Sequence, residues 1–493
     1  MGSLHDQLSL SLLQDLKVTV HHSCLVFPSQ QTQQKTVFLS NIDQVLNFDV
    51  QTVHFFGAHK DFPESQILAE KVKDALAKIL VPYDFLAGRL KLNPNTSRLE
   101  IDCNAAGAGF VVASSEYALD EIGDLVYPNS AFAQLVCTAM DSRILNPAAG
   151  NDHDHDQPLC ILQVTTFKCG GFAMGISNNH TTFDGLSFRL FLDNLAAVAA
   201  NKPLVAIPYN DRHILSARSP PHVPFLHPEL QELKNMSTLD DLNPTVFEAT
   251  QEELDFNIFR LTATDVARLK DKAKSTTASS SFNVVTALIW RCKALSSSSS
   301  SDDDEDVNYK RAASSSSSSR ESRILYAVDI RQRLKPPLPR AYTGNAVLTA
   351  YASAKCRELE EVPFSRMVEM VSEGATRITD EYARSVIDWG ELHKGFPHGE
   401  VLVSSWWRLG FADVEYPWGK PRYSCPVVYH RKDIILLFPE QQDMHEYSSS
   451  TSTTNTTTMA GRAGAAGVNI LVALPHKEMQ KFQALFHKFL LDD

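Results

Sequence analysis

A change of periodicity inside one stretch, CGGFAMGISNNHTTFDGLSFRL (Cys169 to Leu190), constrains this chain more than any other feature. Gly170 and Gly171 open a short apolar run, Phe172 to Ser177, which predicts a buried strand. Ser177, Asn178 and Asn179 then interrupt the run with side chains that bond their own backbone in turns. Beyond Gly185, the apolar residues Leu186, Leu190, Phe191, Leu195 and Ala196 recur at helical spacing. His180 and Asp184 therefore sit on the turn between a strand and a helix, where a rigid scaffold can present a side chain to a cleft.

A neutral imidazole beside a substrate hydroxyl can take its proton as the oxygen attacks a carbonyl, a general-base contribution of roughly 10²–10⁴-fold. A carboxylate four residues on can bond the second ring nitrogen and fix the tautomer. Alternatively it turns away and holds the loop through an arginine elsewhere. H-x-x-x-D by itself recurs by chance in many proteins. The strand, the turn and the glycine around it are what single this copy out.

At 493 residues the chain exceeds one ordinary core and predicts two domains, with boundaries at 1–215 and 246–493. Between them, the proline and aspartate density of 216–245 reads as a crossover linker. Lys and Arg number 46 against 58 Asp and Glu, and no stretch gathers a phosphate-binding face, which excludes a nucleic-acid partner. The eight cysteines are scattered without a C-x-x-C, as expected of free thiols in a reducing compartment. The first residues lack a basic segment followed by a compact apolar core, and no apolar run reaches the length of a membrane span. A cytoplasmic monomer with no membrane insertion is expected, with the sequons at Asn95, Asn179, Asn235 and Asn455 unused.

Elsewhere, LKVTVHHSCLVF (16–27) alternates as a strand, and Leu68, Val72, Ala75, Leu76 and Ile79 mark an amphipathic helix opened by Pro63. His21, His22 and His54 read as solvated or core histidines rather than ligands. Asp152, His153, Asp154, His155 and Asp156 offer metal donors without a fixed coordination geometry and read as a solvated loop, so no metal is expected. The serine tracts around Asp302–Asp306, within 296–320, and the Ser/Thr/Ala-rich 448–467 have no means of forming a core and predict disordered insertions.

HTTFDG, LAGRL (86–90), VDIRQRLKPPLPRAYTGNA (328–346) and SSWWRLGFADVEYPWGKP (404–421), in this order, resemble the BAHD acyltransferases, plant enzymes that move an acyl group from coenzyme A to an alcohol or amine. The resemblance spans nearly the whole chain. It implies an α/β fold of two chloramphenicol-acetyltransferase-like domains with mixed sheets and flanking helices, and a channel between them. It also implies acyl-CoA as co-substrate, no cofactor and a small-molecule alcohol acceptor.

By this resemblance His180 is the catalytic base. Asp184 is structural and pairs with an arginine, for which Arg331 in DIRQR is the candidate, and Gly185 follows it. Ser404, beside Trp406, matches a residue that hydrogen-bonds the tetrahedral oxyanion, a contribution of about 2.7–4 kcal/mol where the donor is well placed. The family's D-F-G-W-G signature reads Glu415-Tyr416-Pro417-Trp418-Gly419 here, so only Trp418 and Gly419 match. In the family this segment lies on the CoA side, its Asp paired with an Arg. Glu415 can keep that charge, whereas Pro417 fixes φ and lacks an amide donor.

FKCGGFAMG, NDRHILSARSPP and EYARSVIDW most resemble the subgroup that transfers hydroxycinnamoyl groups to long-chain alcohols and ω-hydroxy acids. Two other readings compete with direct transfer. One is a non-catalytic accessory protein of the same fold in very-long-chain lipid metabolism, which the altered second signature favours and the intact HTTFDG disfavours. The other is a condensation-type domain, disfavoured by Asn179 where that pattern has a first His.

Overall fold

The structure, a computed structural model, describes residues 13–62, 64–126, 129–138, 157–232, 253–274, 280–297, 320–427, 434–440 and 467–491. These form two compact units, the first of Met1–Ser216, Pro339–Asn345 and Leu409–Tyr429, the second of Ala217–Leu338, Ala346–Arg408 and His430–Asp493.

The first unit is built on a sheet of β1 (Val18–Val26), β3 (Asp49–Phe56), β6 (Ala108–Ser115), β7 (Cys160–Thr166), β8 (Phe172–Asn179) and β15 (Tyr423–Pro426), in the order β1-β6-β7-β8-β3-β15. All its pairings are antiparallel except β6 with β7. A smaller sheet orders β2 (Thr36–Phe38), β5 (Arg98–Asp102) and β4 (Arg89–Asn93) as β2-β5-β4. Helix α1 (Asn41–Gln44) is capped by Ser40, and α2 (Ser65–Ile79) buries Leu68, Val72, Ala75, Leu76 and Ile79, as its spacing predicts.

Two details differ from the sequence reading. The strand expected to stop at Ser177 runs on to Asn179, because Asn178 and Asn179 keep the ladder to Val50 and Asp49 while their side chains bond elsewhere. Helix α3 (Gly185–Ala199) buries Phe188, Phe191, Leu192, Leu195 and Ala196, but Leu186 is exposed. The buried stripe thus begins at Ser187 and Phe188 in the first turn and is rotated away from Leu186, while Leu190 is half-buried.

The second unit carries a mixed sheet of β10 (Asp255–Leu261), β11 (Glu321–Asp329), β12 (Val347–Lys355), β14 (Val401–Ser405), β16 (Ile434–Pro439) and β17 (Val468–Leu474), ordered β10-β17-β16-β14-β11-β12. Strand β14 runs parallel to both of its neighbours. Helices α4 (Ala263–Lys272), α5 (Ser281–Ser296), α6 (Cys356–Glu361), α7 (Phe364–Arg377), α8 (Asp380–Leu392) and α9 (His476–Leu491) complete it. Trp290 of α5 is fully buried and gives its indole N–H to Ser322 at 3.0 Å, so the large ring enters the core without an orphaned donor.

The division of the chain corrects the expected boundaries. Pro339–Asn345 and Leu409–Tyr429, both in the sequence's C-terminal half, belong to the first unit, where β15 pairs with β3 and His54 Nδ1 meets Ser424 Oγ at 2.8 Å. Of the expected linker 216–245, the part from Ala217 through Glu232 belongs to the second unit. Arg218 Nε donates to Asp388 at 2.6 Å, and β9 (Leu230–Glu232) pairs with β13 (Gly395–Pro397). The rest of 216–245, the His/Asp loop 152–156 and nearly all of 296–320 and 448–467 lie outside the described residues.

Candidate active site

The loop that carries His180 is fixed by its own polar residues. Asn179 Oδ1 accepts from the amide and hydroxyl of Thr181 at 3.1 and 2.6 Å, and its Nδ2 donates to Asn47 at 2.9 Å. The His180 amide donates to the Phe48 carbonyl at 2.8 Å, and the Phe48 and His180 rings lie 5.2 Å apart. Asp184 closes the loop as the N-cap of α3. Its Oδ1 accepts from the amide and hydroxyl of Ser187 at 2.9 and 3.0 Å, an arrangement worth about 1 kcal/mol of helix stability. A Cβ at Gly185 would stand 2.5 Å from Leu409 Cδ1, so a larger residue there needs that side chain to shift.

His180 keeps part of its surface open, but its Nδ1 is buried and no hydrogen bond reaches it among the described residues. Asp184 therefore does not hold that nitrogen. Burial keeps the imidazole below its ordinary value, because taking it out of water disfavours the cation. Its own carbonyl, Asp184, the Asn345 amide and Asp43 offset part of that shift, although none bonds Nδ1 with ordinary geometry. At neutral pH the ring is the free base, the state that a proton acceptor needs.

A second layer, which sequence reasoning missed, lies under this loop. Arg212 donates through Nη1 to the Thr181 carbonyl and through Nη2 to the Thr182 carbonyl at 2.9 Å. It also pairs with Asp43 at 3.3 Å and sits over the Phe85 ring at 5.5 Å. Asn345 gives Nδ2 to both Asp43 Oδ1 and the His180 carbonyl, each at 2.8 Å. The only sequence hint was Ser40-x-x-Asp43, a helix-capping pattern, and it does not foretell the arginine.

Of the other predicted residues, Arg331 lies in the second unit, where Nη1 meets Asp329 at 3.0 Å. Ser404 and Trp406 are also there, at the end of β14; Ser404 is opposite Leu436 and the Trp406 amide bonds the Leu437 carbonyl at 2.7 Å. The altered signature is a turn of the first unit. Tyr416 and Gly419 exchange backbone bonds at 3.2 and 2.9 Å, and Gly419 adopts φ +97°. Pro417 occupies the position after the first turn residue, where its fixed φ is favoured and no donor is called for. Trp418 is buried, its ring 6.0 to 6.3 Å from those of Phe56, Phe62 and Phe172. Glu415 is exposed and pairs with Lys420 at 3.7 Å, not with an arginine.

His54 is a core histidine. Its pKa is pushed down to about 3 by burial, and it is held by Ser424 and Thr52. Among the described residues no cluster of His, Cys, Asp and Glu could hold a metal ion, and no helix is long and apolar enough to cross a membrane.

Two sheet-based α/β units with a strand–turn–helix histidine define a fold shared with solved acyltransferases. The crystal structure of vinorine synthase superposes with a TM-score of 0.67 at 21% identity, covering 94% of this chain and 96% of that one. A family model described as the Transferase family matches residues 16–488. The chain is 55% identical to Acyltransferase GLAUCE of Arabidopsis thaliana, over 99% of this chain and 100% of the relative. It is 30% identical to an omega-hydroxypalmitate O-feruloyl transferase of Arabidopsis thaliana, over 96% and 93%. The chain belongs to the BAHD acyltransferase family, acyl-CoA-dependent transferases.

Proposed function

We propose that this protein transfers a hydroxycinnamoyl group from coenzyme A to the hydroxyl of a long-chain alcohol or ω-hydroxy acid, with His180 as general base. The observation that carries the reading is the His180 imidazole, whose pKa burial holds below its ordinary value, on a loop held by Asn179, Arg212 and Asn345. The feruloyl transferase relative supports the acyl class and the long-chain acceptor.

In this reading acyl-CoA and alcohol are bound together. His180 takes the hydroxyl proton as the oxygen attacks the thioester carbonyl, and a C–O bond forms. The tetrahedral oxyanion accepts a hydrogen bond from Ser404. The C–S bond then breaks, and the CoA thiolate leaves with the proton that the imidazolium returns. Asp184 serves this step as the cap that ends the loop. No metal or prosthetic group takes part, acyl-CoA is a co-substrate, and the enzyme works as a cytoplasmic monomer.

The test is a purified chain given feruloyl-CoA with 1-hexadecanol, 16-hydroxyhexadecanoic acid or shikimate. Loss of the thioester should require an acceptor and should be fastest with the long-chain alcohols, because each buried methylene contributes roughly 0.8 kcal/mol. Preference for shikimate or for acetyl-CoA overturns the substrate class. Absence of transfer with any donor and acceptor overturns the enzyme reading in favour of an accessory role.

A further inference from the structure

We propose that Arg212 and Asp43 are positioning residues for His180, fixing the three carbonyls that begin at the histidine and keeping the charge beneath its loop balanced. The inference rests on the reading of His180 as the base. The Arg212 side chain is 1% exposed and that of Asp43 is fully buried. Arg212 holds the carbonyls of Thr181 and Thr182, and Asn345 holds that of His180. Both holders meet at Asp43 Oδ1, while Oδ2 is taken by the amide and hydroxyl of Ser40 at 2.9 and 2.8 Å. Three successive peptide groups thus have their orientation set by one carboxylate.

A pair buried this deeply is a poor way to gain stability, because desolvating two charges offsets most of their attraction. Its position under the loop gives it another use. A planar guanidinium fork fixes two carbonyls at once, which a point-like ammonium cannot do. The charge balance follows from the same contacts. Among the described residues, the charged groups around the loop include Asp184 at the cap of α3, Asp43 from α1, Arg212 from its short 3₁₀ turn, and Asp49, which sits opposite Asn179 on β3. Arg212 and Asp43 pair at 3.3 Å and so balance one another beneath the loop.

Opposite changes should therefore move the titration of His180 in opposite directions. Asp43→Asn leaves the guanidinium unbalanced, which disfavours the imidazolium and lowers the midpoint. Arg212→Gln leaves the carboxylate unbalanced and raises it. The double variant restores neutrality and returns the midpoint towards the parent. Loosening of the loop alone would let water in and raise the midpoint in both single variants. Arg212→Lys keeps the charge but loses the fork. It should leave the midpoint near the parent value while lowering kcat on the order of 10²-fold, the cost of a small misplacement, at little change in KM.

The experiment follows deuterium exchange at the imidazole C2 carbon of the His180 peptide by mass spectrometry against pH, on the full chain. It is paired with steady-state transfer from feruloyl-CoA to 1-hexadecanol. Opposite midpoint shifts, with recovery in the double variant, support the proposal. Shifts of the same sign, or parental kcat in Arg212→Lys, overturn it. Should the single variants not fold, the double variant and Arg212→Lys decide: both are expected to lose kcat near the parental midpoint, and parental kcat in either overturns the proposal. His180→Ala separates the two readings. If that variant stays active, the base assignment falls while the exchange result still stands. If it is inactive while Arg212→Lys is unimpaired, only the positioning role falls.

Discussion

Two histidine sites, one in each unit, differ in what their ring nitrogens meet. In the second unit His227 has Nδ1 3.2 Å from Glu229 and Nε2 2.8 Å from Ser385 Oγ, the contacts of a nucleophile, a base and an orienting acid. Tyr382 adds its hydroxyl to the same Glu229 oxygen at 2.7 Å. Yet the side chains of His227 and Glu229 are 1% exposed and Ser385 is fully buried, so no substrate reaches them. His180 has the reverse arrangement: the residue is only half-buried, and its Nδ1 has no hydrogen-bond partner among the described residues. A satisfied constellation with no access ties segments together, here the start of the second unit to α8. A histidine with spare bonding capacity beside an opening is the one suited to chemistry.

Substitution is the sharpest way to break this comparison. His180→Ala should lower kcat by roughly 10²–10⁴-fold while the melting temperature stays near the parent. Turnover of feruloyl-CoA with 1-hexadecanol checks it, and a variant that keeps most of its rate ends the assignment. His227→Ala should do the opposite. Leaving Glu229 and Ser385 without their partner costs about 1–3 kcal/mol of stability, read by denaturant unfolding, with the rate per folded molecule unchanged. Ser385 should also resist fluorophosphonate labelling in the native protein, and labelling there would show that the network opens.

The pH dependence sharpens the same contrast. Since burial holds His180 below its ordinary 6.5, the acid limb of kcat/KM should fall below that pH. The unfolded chain takes up this proton first as pH descends. The site's contribution to stability is therefore complete above 6.5 and is lost as pH falls towards the folded value. In His180→Ala that part of the stability–pH slope should vanish, as unfolding at a series of pH values would show. The smallest effect belongs to the altered signature. Pro417→Gly restores the family residue but frees the turn, and should cost about 0.4–1 kcal/mol without changing turnover. A gain in activity would mean that the proline limits function.

What could be read from the sequence followed local pattern. The strand, the turn and the helix around His180 are set by residues within one short stretch, and α2 by its apolar spacing. The glycine after Asp184 could be named but not explained, because the side chain that crowds it is Leu409, far along the chain. Arg212 and Asp43 carried no comparable mark. Two of the arginine's contacts are to main-chain carbonyls, which no residue type at the far end announces, and its side-chain partners Asp43 and Phe85 lie far away in sequence. The two-domain division was legible only as length and proline density, and those signals do not show two later segments joining the first unit.

That interleaving has a consequence for synthesis. The first unit receives Asn345 after about half of the second unit's sequence has been made, and the edge strand β15 after most of it. Domains generally fold as units and the N-terminal one first, as the chain emerges. Here the earlier unit must wait with β3 unpaired on one edge, and an unpaired edge invites association with other chains. The late arrival of one short strand makes the emerging chain a natural client for chaperones. It also implies that a fragment ending at Ser216 should become soluble when a peptide spanning 409–429 is supplied in trans.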